Sequence, residues 1–259
     1  MILRRFGNKS KIAADIIQYF PPHSIYIEPF FGAGGLFFNK PRAKHNIVND
    51  IDNEVFNLWY MSKYHLQEMI DEIMETPISQ ELFEYWKTNK EINNPIRKAI
   101  RFIYLTNIST MGNGGTFCTN VWIFCKKNLI EVVRNIYTNM DEVKFLNKDF
   151  REFFSIINFP HGENDKKMTF IYADKPYSNT RNNYSTDWTS QDDIDLLDIL
   201  DSTNIKYAVS EFEGSHFESL ALEKGLNKIV IGERQNLKNR RVEILFTNYE
   251  VEKNENLLF

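Results

Sequence analysis

The spacing of apolar residues changes twice along the chain. Between Ser24 and Asp50 two β-rich runs, SIYIEP and HNIVND, flank the Gly-rich stretch FFGAGG. An order of strand, turn, short helix and strand predicts a βαβ unit over residues 25–50. From Asp52 to about Asn139 the spacing becomes that of amphipathic helices in FNLWYMSKYHLQEMIDEIM, ELFEYWK and IRKAIRFIYL, interrupted by the loop TMGNGGTF, with no convincing strand until VWIFC. Strand signals then return in VKFL, MTFIYAD, IKYAVSE, NKIVIG and VEILFTNY, separated by helical stretches such as SQDDIDLLDILD and SHFESLALEKG. This alternation predicts an α/β fold with a doubly wound, mostly parallel sheet, into which a mainly helical block is inserted after the second strand. The expected division is an α/β domain over residues 1–54 and 141–259 and a helical domain over 55–140. The aromatic stripe Phe56, Trp59, Tyr60 and Tyr64, at helical spacing, is expected in the core of the helical block.

Composition narrows the classes. The 259 residues are 42% hydrophobic and 14% aromatic, enough for one substantial core and a smaller lobe. No apolar run approaches the roughly 18 residues that span a bilayer, and the N-terminus lacks a signal-peptide pattern, so a cytoplasmic protein with no membrane partner is expected. The two cysteines, Cys118 and Cys125, have no histidine cluster beside them, and neither a disulfide framework nor a metal site is expected. The net charge of -4 hides an uneven distribution: Lys87, Lys90, Arg97, Lys98, Arg101, Lys126, Lys127 and Arg134 face only Glu91 and Glu131 between residues 87 and 135. Solvated helix faces and a nucleic-acid contact surface explain such a run equally well.

In doubly wound sheets ligands bind beyond the carboxyl ends of the strands, so residues there are the candidates for chemistry. EPFFGAGG, Glu28 to Gly35, follows the first strand directly, and its glycines let the backbone turn and approach a ligand; the same stretch can be a tight connection only. The next strand ends in Asn49-Asp50, where an acid can accept hydrogen bonds from a ribose diol. Asp174-Lys175-Pro176-Tyr177 follows the strand MTFIY and offers an acceptor, a rigid turn and an aromatic face, all of which also suit an ordinary strand-ending turn. Arg4 to Lys9, RRFGNK, precedes a helical stretch and reads either as a helix entry or as an anion contact. The polar run Ser178 to Asn183 with Tyr184 and Trp188 suits a segment over an active site and equally a surface loop, and Met111 to Thr116 has the small polar character of a loop.

GNK near the start, EPFFGAGG, an acid ending the next strand, a helical insertion and an Asp-x-Pro-Tyr turn, in that order, resemble the Dam-type (class alpha) DNA adenine methyltransferases that use S-adenosylmethionine (AdoMet). The closing stretch GERQNLKNRRVEILFTNY is similar too. The resemblance runs through the whole chain and implies a Rossmann-like methyltransferase sheet with an inserted target-recognition domain. It implies an AdoMet pocket formed by Phe6, Gly7, Asn8 and Lys9, by Glu28, Pro29, Phe30, Phe31, Gly32 and Gly34, by Asp50 at the ribose, by Asp149 and Phe150 at the adenine ring, and by Asp174. It implies double-stranded DNA as partner, with Lys87, Arg97, Lys98, Arg101, Asn113, Lys126, Lys127 and Arg240 as contacts, no metal, a bacterial or phage-infected cell, and a cognate restriction endonuclease as a companion. Arg241 next to Arg240 either touches phosphate or is solvated.

What the resemblance implies for catalysis centres on Asp174, Lys175, Pro176 and Tyr177. In the family an Asp-Pro-Pro-Tyr turn localises the lone pair of the adenine N6 amine: the Asp carboxylate and the next carbonyl accept its hydrogens, and the Tyr stacks on a base flipped from the duplex. Here lysine replaces the first proline. The ring that fixes φ is lost and a cation is gained where a sulfonium must sit, so the expectation is reduced turnover with cofactor binding retained. The competing reading is a binding protein of the same fold that holds AdoMet or DNA without transfer. A third reading, another nucleotide-binding α/β enzyme, leaves the Asp-x-Pro-Tyr turn and the basic insertion unexplained.

Overall fold

The computed structural model of the chain describes residues 8–89, 91–110, 114–119, 126–177, 188–236 and 239–251. In chain order the elements are α1 (Ala13–Ile17), β1 (Ile25–Glu28), a 3-10 turn at Phe37–Asn39, β2 (His45–Asn49), the helices α2 (Asn53–Tyr64), α3 (Leu66–Glu75), α4 (Gln80–Thr88), α5 (Pro95–Asn107) and α6 (Lys126–Asn139), then β3 (Val143–Leu146), α7 (Phe150–Ile156), α8 (Glu163–Lys167), β4 (Thr169–Ala173), α9 (Ser190–Ser202), β5 (Lys206–Phe212), α10 (His216–Glu223), β6 (Asn227–Asn236) and β7 (Asn239–Thr247). The run VWIFC, with Cys125, lies outside the described residues.

The strands form one sheet in the order β3-β2-β1-β4-β5-β7-β6. β1 pairs in parallel with both β2 and β4, and only β7 runs antiparallel, between β5 and β6. This is the doubly wound, mostly parallel Rossmann-like sheet that the alternating pattern specifies. The order reverses between β1 and β4, because the chain winds outward to β2 and β3 on one side and to β5 on the other. A crevice is left where the connections diverge.

Alternation along the strands sorts side chains to two faces. On one face Ile27, Ile171, Ala173, Tyr207 and Val209 pack with Phe153 of α7, Leu196, Leu197 and Leu200 of α9 and Phe217 of α10. On the other, Tyr26, Phe170 and Tyr172 meet the ring of Phe20 that follows α1. Each such side chain contributes roughly 1.5–3 kcal/mol by burial. The helix α9 starts sharply because Thr189 and Asp192 form a reciprocal capping box.

Two compact units emerge, and their division differs from a cut at 55 and 140. Residues 8–11, 32–39 and 52–142 form one unit; residues 12–31, 40–51 and the remainder from Val143 form the other. The segment after the Gly-rich turn joins the helices because Trp59 Nε1 donates to the Gly32 carbonyl at 3.3 Å and the Trp59 ring stacks on Phe38.

In the helical unit Trp59 is core, as expected, but Tyr60 is 42% and Tyr64 65% exposed. Val55, Leu58, Trp59 and Ser62 take the buried side of α2. Phe56, Tyr60 and Tyr64, spaced four apart, form a separate ladder with ring centres 5.8 and 4.8 Å apart. The aromatic stripe is therefore two stripes, and only one is core.

Candidate functional site

At the carboxyl ends of the strands the sheet unit holds a pocket of about 100 Å³, partly open to solvent. Pro29 and Phe30 enter it after β1, Asn49 and Ile51 at the end of β2, Lys148 to Phe150 after β3, Pro176 after β4, and Trp188 and Asp192 at the entry to α9. The walls thus come from the ends of β1 to β4 and from the entry to α9.

Three rings in mutual contact make one aromatic wall. Phe30 lies 5.7 Å from Phe150 and 5.5 Å, edge-on, from Trp188, and Phe150 lies 5.5 Å from Trp188. Asn49 is buried behind them and stitches two strand ends together: its Nδ2 donates to the carbonyls of Pro29 and Lys148, and its Oδ1 accepts from the Lys148 amide. Asp149 caps α7 by accepting from the Arg151 amide at 2.9 Å, and Arg151 also binds Asp192 and Asp195. The result is an apolar slot with a carboxylate and amide rim, suited to a flat ring with hydrogen-bonding edges.

Asp50 directly follows β2, yet the pocket is lined by its neighbours Asn49 and Ile51. The Asp50 amide donates to the Leu146 carbonyl, and its own carbonyl accepts from Asn147 Nδ2. Phe31 is buried, its amide donating to the Asn49 carbonyl and its ring edge-on to Phe145, so it supports the wall from behind.

The turn Asp174 to Tyr177 leaves β4 directly into this region, and Pro176 is one of the pocket's walls. Lys175 is 1% exposed. Its Nζ lies 2.5 Å from Glu211 Oε2 and 2.9 Å from Asp193 Oδ1, with the ring of Phe217 4.6 Å away. The premise that this lysine places an unscreened cation beside the sulfonium is therefore corrected: two enclosed carboxylates take up its charge. Burial pushes the Glu211 carboxyl up, and the Lys175 ammonium pulls it back down.

Tyr177 is also enclosed, 8% exposed, with Phe212 edge-on at 4.5 Å. Its hydroxyl lies 3.0 Å from Asp174 Oδ1 and 2.8 Å from Glu243 Oε1. One hydroxyl proton faces two carboxyl groups, and burial together with the charges of Asp174 and Glu243 pushes the phenol well above its ordinary value, so it acts as a neutral donor. In this arrangement Tyr177 braces the turn and does not present an open stacking face.

Glu28, at the end of β1, is buried and accepts from Tyr26 Oη at 2.8 Å. Burial pushes its carboxyl up to about 8, with the charges of Asp174 and Asp50 adding to the rise and the Tyr26 hydrogen bond and Lys40 opposing it. Lys40, its ammonium 3.9 Å from the Tyr26 ring centre, is lowered by burial to about 8.

In the helical unit the structure brings two sequence segments together. Asn8 Oδ1 accepts from both the amide and the hydroxyl of Ser10, and Lys9 is 3% exposed. Gly35 packs against this turn so closely that a Cβ there would lie 2.5 Å from Asn8 Oδ1 and 2.8 Å from the Lys9 nitrogen. Gly32 and Gly34 carry φ of 51° and 65°, which glycine adopts freely. Phe6 and Gly7 lie outside the described residues.

The basic residues divide. Arg101 is corrected from DNA contact to structural support: it is 3% exposed, its Nη1 lies 2.8 Å from Glu54 Oε1, and its Nε donates to the Trp86 carbonyl. Lys87 reaches the Gly115 carbonyl, Arg97 pairs with Glu72, and Lys126 donates to the Met74 carbonyl. Lys127 is exposed and Lys98 half-buried. Arg241 lies over the Phe212 ring at 5.0 Å. Asn113, Met111 and the segment Ser178 to Asn183 with Tyr184 lie outside the described residues, as does the side chain of Arg240.

Sequence reasoning missed Asn49, Asp193, Glu211 and Glu243. The signal available was positional: Glu211 and Glu243 are the lone acids of their strands, KYAVSEF and NRRVEILFT. Asp193 sits at the start of α9 among other acids, and nothing in the spacing sets it apart. Among the described residues no group of three or more His, Cys, Asp or Glu gathers around a metal position, and no helix is long and apolar enough to cross a membrane.

Residues 6–237 match the family model for the D12 class N6 adenine-specific DNA methyltransferases. The chain is 28% identical over 115 residues to the DNA adenine methylase of Salmonella typhi, an alignment covering 42% of this chain and 41% of that protein. Against the DNA adenine methylase of Escherichia coli K12 the identity is 25% over the same shares, so the chain spans about two fifths of the length of these relatives. The Type II methyltransferase M1.LlaDCHI of Lactococcus lactis subsp. cremoris aligns over 90% of both chains at 23% identity. Among solved structures, the rRNA methyltransferase AviRa of Streptomyces viridochromogenes superposes with a TM-score of 0.42 at 12% identity, covering 92% of this chain and 82% of that one.

Proposed function

The chain belongs to the D12 class N6 adenine-specific DNA methyltransferase family, and from that premise we propose that it transfers a methyl group from AdoMet to the exocyclic N6 amine of adenine in duplex DNA. The observation that carries this reading is the position of the Asp174 to Tyr177 turn, which borders an aromatic pocket through Pro176. The pocket fits the cofactor's adenine: Phe30, Phe150 and Trp188 offer apolar faces, and Asp149 and Asn49 supply polar atoms behind the rim. Asp50 is proposed for the ribose.

When bound, AdoMet supplies an electrophilic methyl group on a sulfonium. The protein's part is to prepare the nucleophile. The lone pair of the amine is conjugated with the purine ring, and two acceptors, the Asp174 carboxylate and the carbonyl of residue 175, draw its hydrogens out of that plane. The Tyr177 hydroxyl keeps the Asp174 carboxylate oriented. The adenine reaches this turn only when rotated out of the duplex, and basic side chains such as Lys98 and Lys127 position the backbone through phosphate contacts. A restriction endonuclease of the same specificity is the proposed companion.

Calorimetric titration with AdoMet and a methyl-transfer assay on unmethylated DNA test this reading together. Asp174→Ala is expected to reduce transfer at saturating AdoMet by at least about a hundredfold. Undiminished transfer by Asp174→Ala would remove the proposed role of the turn.

A further inference from the structure

We propose that Lys175 is a positioning residue: clamped between Glu211 of β5 and Asp193 of α9, it takes over from the missing proline ring as the constraint on the Asp174 to Tyr177 turn, and through Asp193 it joins that turn to Trp188 in the wall of the aromatic pocket. The inference rests on the methyl-transfer reading, which gives the carbonyl of residue 175 its part as the second acceptor.

A proline at this position holds the carbonyl through a fixed φ, and a lysine backbone carries no such restriction. What restricts it here is the side chain. Its ammonium meets Glu211 at 2.5 Å and Asp193 at 2.9 Å, and neither lysine nor aspartate side chain is exposed at all. The Phe217 ring on α10 closes the remaining side at 4.6 Å. Three elements therefore grip one side chain and hold its ammonium end to the frame. Charges enclosed this fully keep their place because leaving it strands a partner without a counter-ion.

The second half of the inference comes from Asp193. The oxygen that binds Lys175, Oδ1, also accepts from Trp188 Nε1 at 2.7 Å. Its other oxygen lies 3.7 Å from His216 Nδ1. Trp188 in turn touches both Phe30 and Phe150. A single carboxylate oxygen thus sets the height of the catalytic turn and the position of one pocket wall. Displacing it disturbs transfer and cofactor affinity together.

The test compares the wild-type chain with Lys175→Met/Asp193→Asn/Glu211→Gln, which removes the clamp without leaving a buried charge, and with Lys175→Pro/Asp193→Asn/Glu211→Gln, which restores a ring. Melting temperature, AdoMet affinity, kcat and KM are read for each. The methionine variant is expected to melt close to wild type and to lose about a hundredfold in kcat, because a misplaced acceptor is costly to an oriented reaction. The proline variant is expected to recover most of that loss. A folded methionine variant with wild-type kcat would overturn the proposal, since a lysine that only fills the core has no call on turnover.

Asp193→Asn alone serves if the triple variants do not fold. It keeps the Lys175 to Glu211 contact and is expected to weaken AdoMet binding about tenfold and to lower kcat; unchanged values of both would overturn the coupling. A wild-type chain that binds AdoMet but transfers no methyl group would defeat the proposed function instead, and the clamp is then judged on the AdoMet affinity of Asp193→Asn.

Discussion

Lys175 Nζ and Glu211 Oε2 lie 2.5 Å apart with both side chains shut away from water. The contact changes what a return to the Asp-Pro-Pro-Tyr pattern would do. Lys175→Pro on its own restores a ring but leaves Glu211 and Asp193 enclosed without their cation, and removing one partner of a buried ionic group costs about 3–5 kcal/mol. The single variant is expected to melt well below wild type and to show no gain in methyl transfer. Thermal unfolding followed by circular dichroism, with a transfer assay at a temperature where both chains are folded, checks both statements.

Glu28 gives the sheet unit a pH dependence of definite sign. Its carboxyl titrates near 8 in the folded chain against 4.5 ordinarily, so between those values the folded chain keeps a proton that the unfolded chain has lost. The stabilisation is complete below about pH 4.5 and is lost as pH rises through 8, with a slope approaching about 1.4 kcal/mol per pH unit. Lys40, lowered to about 8 from 10.5, acts in the opposite direction only above that pH. Denaturant midpoints at pH 5.5 and 7.5 are expected to fall for the wild type and to stay nearly level for Glu28→Gln.

Gly35 marks a contact that tolerates no side chain. In Gly35→Ala the new Cβ meets Asn8 Oδ1 at 2.5 Å and the Lys9 nitrogen at 2.8 Å, so the Asn8 to Ser10 turn must move. The helical unit is expected to lose about 1–3 kcal/mol of stability, the cost of an overpacked contact. A denaturant titration of the variant reads the loss directly.

The basic side chains of the helical unit separate by salt dependence. Lys127→Ala is expected to reduce the slope of log affinity for duplex DNA against log salt by about 0.9, the share of one phosphate contact. Arg101→Met is expected to leave that slope unchanged and to destabilise the protein by about 3 kcal/mol, because Arg101 is enclosed against Glu54. DNA binding at several salt concentrations, beside a melting curve, distinguishes the two.

These residues show where the sequence was legible. Strand and helix periods locate the sheet, the helical insertion and the reversal point, because each element buries one regular face. The pocket's floor, Pro29, Phe30, Asp149 and Phe150, was legible through family motifs at strand ends. The clamp was not: Lys175, Asp193 and Glu211 lie far apart in sequence and meet only when α9 and β5 pack beside β4, so lysine in the motif read as a free cation. Arg101 misled for the same reason. A charge count along the chain carries no information on burial, and α5 turns this one arginine inward while Arg97 stays out. The stripe Phe56, Trp59, Tyr60, Tyr64 merged two faces of α2 that differ by one residue of helical rotation.

The proposed function requires that adenine be methylated at this turn with lysine in it. Its most direct test is incubation of the wild-type chain with methyl-labelled AdoMet and unmethylated duplex DNA, followed by digestion to nucleosides and identification of the labelled product. Label in N6-methyladenine, dependent on Asp174, is expected. Label in a methylated cytosine, or no label from a chain shown to be folded and to bind AdoMet, would contradict it.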